Sequence, residues 1–215
     1  MSQPLIILLV GFAYVVLLGG LALLRREGLS MRFAVESVIL TLLVSGLAAL
    51  TGMPIDPVLF VILLYLVTMR IRLLVDVGTM LAQGGRTAWA GRIYELTSRL
   101  WPDAAGALIL QVNQATLFLK ENKLDEAIAL FTDVLRQSGQ GYLGVKYEAA
   151  AHFNLGVAYL KKDLPGKATV EFNAVIDTWP ASLFARRAQD ALNRQRSKET
   201  SAPEKEPTDH PTPQP

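Results

Sequence analysis

The sequence predicts an all-α protein: N-terminal transmembrane helices, then an α-solenoid of helix-turn-helix repeats, a C-terminal capping helix and a disordered tail. Three observations predict it. Apolar side chains crowd the first third of the chain, helical periodicity recurs at fixed shifts through the middle, and proline and charge accumulate at the end. The expected boundaries are a membrane domain over 1–70, with helices at about 4–24, 33–50 and 57–75, repeats over 71–182, a cap over 183–197 and a tail over 198–215. Hydrophobic residues make up 51% of the chain and the mean hydropathy is +0.31, high for a soluble globule. The excess is local, since Glu27, Glu36 and Asp56 are the acidic residues that precede Asp76.

The first apolar run, Pro4–Leu24, has 21 residues, close to the ~20 that a helix needs to cross the hydrocarbon core. A cleaved signal peptide would need a basic leader before the run and a small-residue cleavage site after it. Only Ser2 and Gln3 stand between Met1 and the run, and Arg25 and Arg26 follow it, so the helix is expected to be retained. The second run, Phe33–Leu50, carries Glu36 in its first turn, where Arg32 is an i,i+4 partner. A third begins at Asp56-Pro57, an N-cap followed by a residue tolerated at the first helical position. It stays apolar to Met69, after which Arg70 and Arg72 interrupt it. Snorkelling of the arginines extends its usable length to about Val75.

Basic residues orient the segments. Arg25, Arg26, Arg32, Arg70, Arg72 and Arg86 flank one side, and the N-terminal stub and Thr51–Pro57 contain none. Positive charge is retained in the cytoplasm, which predicts an integral membrane protein with the N-terminus outside and the repeats cytoplasmic. A third run that dips without crossing would reverse the side of the soluble part. Neither Gly nor Pro occurs between Val58 and Val77, and Gly84-Gly85 is the first stop. One straight helix from Pro57 to Gln83, ~40 Å long, is therefore expected to join membrane and repeats without a linker.

The repeats rest on Leu155-Gly156-x-x-Tyr159, followed by Ala168, Phe172 and Pro180, with His152 three residues before Leu155. A shift of 41 residues brings Ala115, Phe118, Ala127 and Phe131 to the same places, and a further 37 brings Gly78, Leu81, Ala90, Tyr94 and Pro102. Small residues let paired helices approach, aromatics fill the space between units, and proline ends the second helix. This W-x2-L-G-x2-Y…A-x3-F…P pattern, with His152 in the Trp position, resembles the tetratricopeptide repeat family. The copies span 71–104, 108–141 and 149–182. The resemblance implies a superhelix of antiparallel helix pairs whose first helices line a concave groove, and protein or peptide binding as the role. Ala181–Gln195 is amphipathic and suits the cap that such stacks need. Five of the eleven prolines lie within Pro203–Pro215, a composition that does not bury enough apolar surface to order itself.

Chemistry is poorly supplied. The chain has no cysteine and two histidines, His152 and His210, so no metal set, triad or cofactor is expected. Gly139-Gln140-Gly141-Tyr142-Leu143-Gly144 spells G-x-G-x-x-G, but a helix precedes it where the dinucleotide fingerprint needs a strand. A net charge of +2 without basic runs argues against nucleic acid. No catalytic residue, cofactor or small-molecule substrate is therefore assigned. Asn113 and Asn154 coincide under the 41-residue shift, Asp76 takes their place in the first copy, and Lys120 and Lys161 lie two helical turns on. The family resemblance implies that such asparagines hold a bound peptide's backbone, so these five residues form the expected binding groove. Val112 and Phe153 stand where a carboxylate clamp would want cations. The expected function is a membrane-anchored scaffold for a partner protein or peptide, aiding assembly of a membrane complex. The competing class is a small transporter or channel subunit, for which Tyr14, Thr41, Ser45 and Tyr65 are the polar groups at mid-membrane.

Overall fold

In the computed structural model, residues 2–24, 31–139 and 143–201 are described, and among them every regular element is a helix. Arg25, Arg26, Gln140–Tyr142 of the glycine motif and the tail beyond Ser201 lie outside those residues.

The apolar front folds as α1 (Gln3–Leu24), α2 (Met31–Thr51) and α3 (Pro57–Thr68). The first two are long and apolar enough to cross a membrane. Ile7, Tyr14, Phe33, Phe60 and Leu64 form their shared core, and Gly11 lets α2 approach so closely that a Cβ there would lie 2.3 Å from Thr41. Gly19, Gly20 and Gly46 have open space beside them, so of the glycines in these described helices only Gly11 serves packing within this bundle. At one end of it the Gln3 amide donates to the Ile55 carbonyl at 3.1 Å and the Ser45 hydroxyl to Pro4 at 3.0 Å. Asp56 caps α3, accepting from Val58 and Leu59 amides at 2.8 and 3.0 Å, with Pro57 at the first helical position.

The expected straight helix from Pro57 to Gln83 does not form. Met69 (φ −101°, ψ 9°) separates α3 from α4 (Arg70–Gln83), and the two axes differ by 72°. Side chains bond to carbonyls near the break: the Arg70 guanidinium donates to Val67 O at 2.7 Å, and the Thr68 hydroxyl bonds back to Leu64 O at 2.7 Å. Arg70 also grips both carboxylate oxygens of Glu36, at 2.7 and 2.9 Å, while Arg32 donates to Glu36 at 2.6 Å. Packing supplies the reason for the bend. Phe60 and Leu64 of α3 are buried in the apolar bundle, whereas Val75 and Ala82 of α4 belong to a separate core. A straight helix serves both cores only if they lie on one line.

The rest of the described chain contains three helix pairs: α4 with α5 (Thr87–Ser98), α6 (Ala104–Lys120) with α7 (Leu124–Ser138), and α8 (Val145–Lys161) with α9 (Pro165–Thr178). Consecutive first helices touch, α4 against α6 and α6 against α8. The pairs share their internal details. Gly78 lies under Tyr94 and Gly156 under Phe172, where an added Cβ would come within 2.3 and 2.7 Å of the rings; Ala115 and Phe131 are fully buried at the same places. Ala90, Ala127 and Ala168, and likewise Thr97, Val134 and Val175, are fully buried at matching positions. Each pair also closes the same way. Gly85 (φ 79°), Asn122 (φ 60°) and Asp163 (φ 57°) occupy the left-handed region, which suits residues without a branched side chain. The next amide, of Arg86, Lys123 or Leu164, returns at 2.9 Å to the carbonyl of Leu81, Phe118 or Tyr159, as in a Schellman closure.

Helix α10 (Leu183–Ser201) packs on α8 and α9 and buries Ala185, Ala188 and Leu192 against Phe172 and Val175. It runs past the expected boundary at 197, so 198–201 are helical and not part of a disordered tail. Its charged outer face, with Arg186, Arg187, Asp190 and Arg194 exposed, covers the open end of the last pair.

Candidate functional site

The surface made by the first helices carries all five expected groove residues. Residues three apart on a helix are neighbours, so Asp76 and Thr79 share a face of α4, and Asn113 and Thr116 share the matching face of α6. Between them runs a regular set of bonds. The Thr79 hydroxyl lies 3.0 Å from Asn113 Oδ1, and the Asn154 amide donates to the Thr116 hydroxyl at 3.1 Å. Each threonine also reaches the carbonyl one turn back, Val75 or Val112, at 2.8 Å. A hydroxyl has one proton, so Thr79 chooses between Val75 and Asn113, and the Tyr94 hydroxyl at 3.1 Å is placed to donate in its turn. Burial pushes the Tyr94 phenol up from its ordinary value of 10.0, partly offset by Thr79, while the charge of Asp76 adds to the rise.

The structure thus separates the five residues into two kinds. Asn113 is engaged on both ends of its amide, accepting from Thr79 and donating to Ile109 O at 2.8 Å. Lys120 donates to Ala82 O at 3.1 Å, closing the end of α4 from the neighbouring pair. These two hold the stack together. Asp76 and Lys161 are exposed, and the Asn154 NH2 donates to the Thr116 hydroxyl. Thr79 and Thr116 escaped the sequence reading although they coincide under the same 37-residue shift as Asp76 and Asn113.

Val112 is 3% exposed within the core, and the Phe153 ring sits 5.8 Å from both Phe172 and Phe184. Both are packing residues, which removes a cationic clamp from those places. His152 places Nδ1 2.7 Å from Glu171 and so ties α8 to α9. Among the described residues no group of three or more His, Cys, Asp or Glu is arranged to hold a metal ion.

The chain matches no family model, no curated protein and no solved structure.

A second polar constellation lies at the joint between the two halves. Arg32, Phe33, Glu36, Thr68, Arg70 and Trp101 line one recess. The Arg32 guanidinium donates both to Glu36 and to the backbone carbonyl of Trp101. Tyr14 Oη lies 2.7 Å from Thr68 Oγ1, so the end of α3 is fixed beside the middle of α1. Sequence reading found the Arg32–Glu36 pair but not Arg70 or Trp101, which come from 34 and 69 residues away. On the opposite, apolar surface, Val10, Tyr14, Leu17, Val61 and Tyr65 border a groove of about 550 Å³ between α1 and α3.

Proposed function

We propose that this chain is a membrane-anchored scaffold of tetratricopeptide type, which holds an extended segment of a partner protein along the surface formed by α4, α6 and α8. The observation that supports the reading is the row of three like-built pairs with adjacent first helices, on which Asp76, Asn154 and Lys161 present polar groups to solvent. Extended peptides offer alternating backbone donors and acceptors, and an amide side chain such as that of Asn154 matches both. The apolar α1–α3 anchor such a scaffold in the bilayer, with the N-terminus outside and the pairs on the cytoplasmic, arginine-bearing side. Helix α3 contributes a third crossing only with help, since its 12 residues rise ~18 Å against ~30 Å of hydrocarbon. Local thinning of the bilayer and the long reach of Arg70 and Arg72 supply the difference.

Photoreactive residues introduced at Asn154 and Lys161, in native membranes, test the groove. A defined protein adduct from both, absent from the same probe at exposed Val170 of α9, is the expected result. Labelling from Val170 alone sinks the proposal.

A further inference from the structure

Trp101 is 80% exposed and adopts φ 46°, a left-handed backbone for a bulky residue. Such a conformation persists only where the surroundings enforce it, and here its carbonyl is held by Arg32 at the start of α2. The depth of this corner follows from α1. Thr68, which borders the same recess as Trp101, is bonded to Tyr14. Beyond Tyr14, α1 continues for ten residues, Val15–Leu24, which rise ~15 Å. The described helices that touch α1 are α2 and α3, with none from the paired half, and Val16 and Leu17 are 53% and 70% exposed. On the membrane reading above, lipid covers the exposed face of that half of α1. A bilayer deep enough to do so reaches past the level of Glu36, Arg70 and Trp101.

We infer that the corner between α5 and α6 is immersed in the interfacial layer of the bilayer, with Trp101 as its anchor. This rests on the membrane reading above and adds a second, peripheral contact to it. The chemistry fits: indole places an apolar ring among acyl chains and its N–H among headgroups. Arg32 and Arg70, with side chains 39% and 26% exposed, stand beside it to meet lipid phosphates, while Glu36 between them keeps the cluster from being purely cationic. In Trp89, by contrast, the ring is occupied by Arg92, whose guanidinium carbon lies 5.0 Å from the ring centroid.

The test uses full-length protein carrying Trp89→Phe and Trp179→Phe, in vesicles of phosphatidylcholine and phosphatidylglycerol. Trp101 emission is expected to be blue-shifted and quenched several-fold more by lipids brominated near the headgroup than by acrylamide. A companion retaining only Trp179 is expected to show the reverse. Trp101→Phe in the otherwise unaltered protein provides a second measurement and removes the lipid-quenched fraction. If the protein floats with the vesicles but Trp101 is quenched like Trp179, the corner lies in water and the inference fails alone. If the protein does not float, the membrane reading fails and takes this inference with it.

Discussion

A methyl group added at Gly156 would lie 2.7 Å from the Phe172 ring, whereas one added at Gly166 meets nothing within 4 Å. Both glycines are helical, so the intrinsic gain from alanine, at most about 1 kcal/mol, is available at each. At Gly156 overpacking of about 1–3 kcal/mol opposes it. Gly156→Ala is therefore expected to lower stability in detergent, and Gly166→Ala to leave it unchanged or raise it by up to about 1 kcal/mol. Tyr94 allows a second test at this scale. Its phenol holds the proton more tightly folded than unfolded because burial disfavours the phenolate. Stability attached to it is present at neutral pH and is lost as pH rises beyond the ordinary value of 10.0. Tyr94→Phe should show a shallower fall in denaturation midpoint between neutrality and about pH 11 than the wild type. The small and aromatic residues of these contacts were legible in the sequence, since chain order and a repeated spacing are enough to find them. What the side-chain amides do was not. Asn113 is occupied by Thr79 of the preceding pair, and the pattern of one repeat does not say which neighbour its polar groups meet.

Helix starts and turns depend on nearby residues, which is why Asp56-Pro57 and Gly84-Gly85 were readable as boundaries. The bend at Met69 has no such local cause. It follows from packing into two cores, and the Glu36 that braces it lies 34 residues before Arg70, while no glycine or proline marks it. Glu36→Gln leaves Arg32 and Arg70 facing each other without a counter-charge, and is expected to loosen the elbow. Spin labels at the exposed Ile62 and Met80 should then give a broader distance distribution by pulsed electron resonance. Glu95→Gln, which releases an Arg99 pair with 73% and 64% exposed side chains, is the matched control. Exposed pairs contribute about 0–1 kcal/mol, so an unchanged distribution is expected there.

In the stack as a whole, each pair meets only its neighbours, so stability is approximately a sum of units and interfaces. Helix α10 supplies the last interface. Ala188, fully buried against it, has no room or partner for a charge, and Ala188→Asp is expected to cost about 3 kcal/mol or more. Limited proteolysis should then cut α9 and α10 first, with α1–α3 and the first pair protected. That the chain is helical, with apolar helices first, was legible in the sequence from its periodicity and its apolar runs. The relative placement of the apolar helices and the helix pairs was not, because it is decided by tertiary bonds such as Tyr14–Thr68 and Arg32–Trp101.

The 72° elbow also sets what kind of search a captured molecule would face. With α3 upright in a bilayer, α4 lies almost flat beneath it instead of projecting into solvent. Anything held there stays within roughly one or two helix diameters, each about 10 Å, of the lipid surface. Two molecules so held would meet by lateral diffusion in a thin layer, where a modest number of copies amounts to a high local concentration.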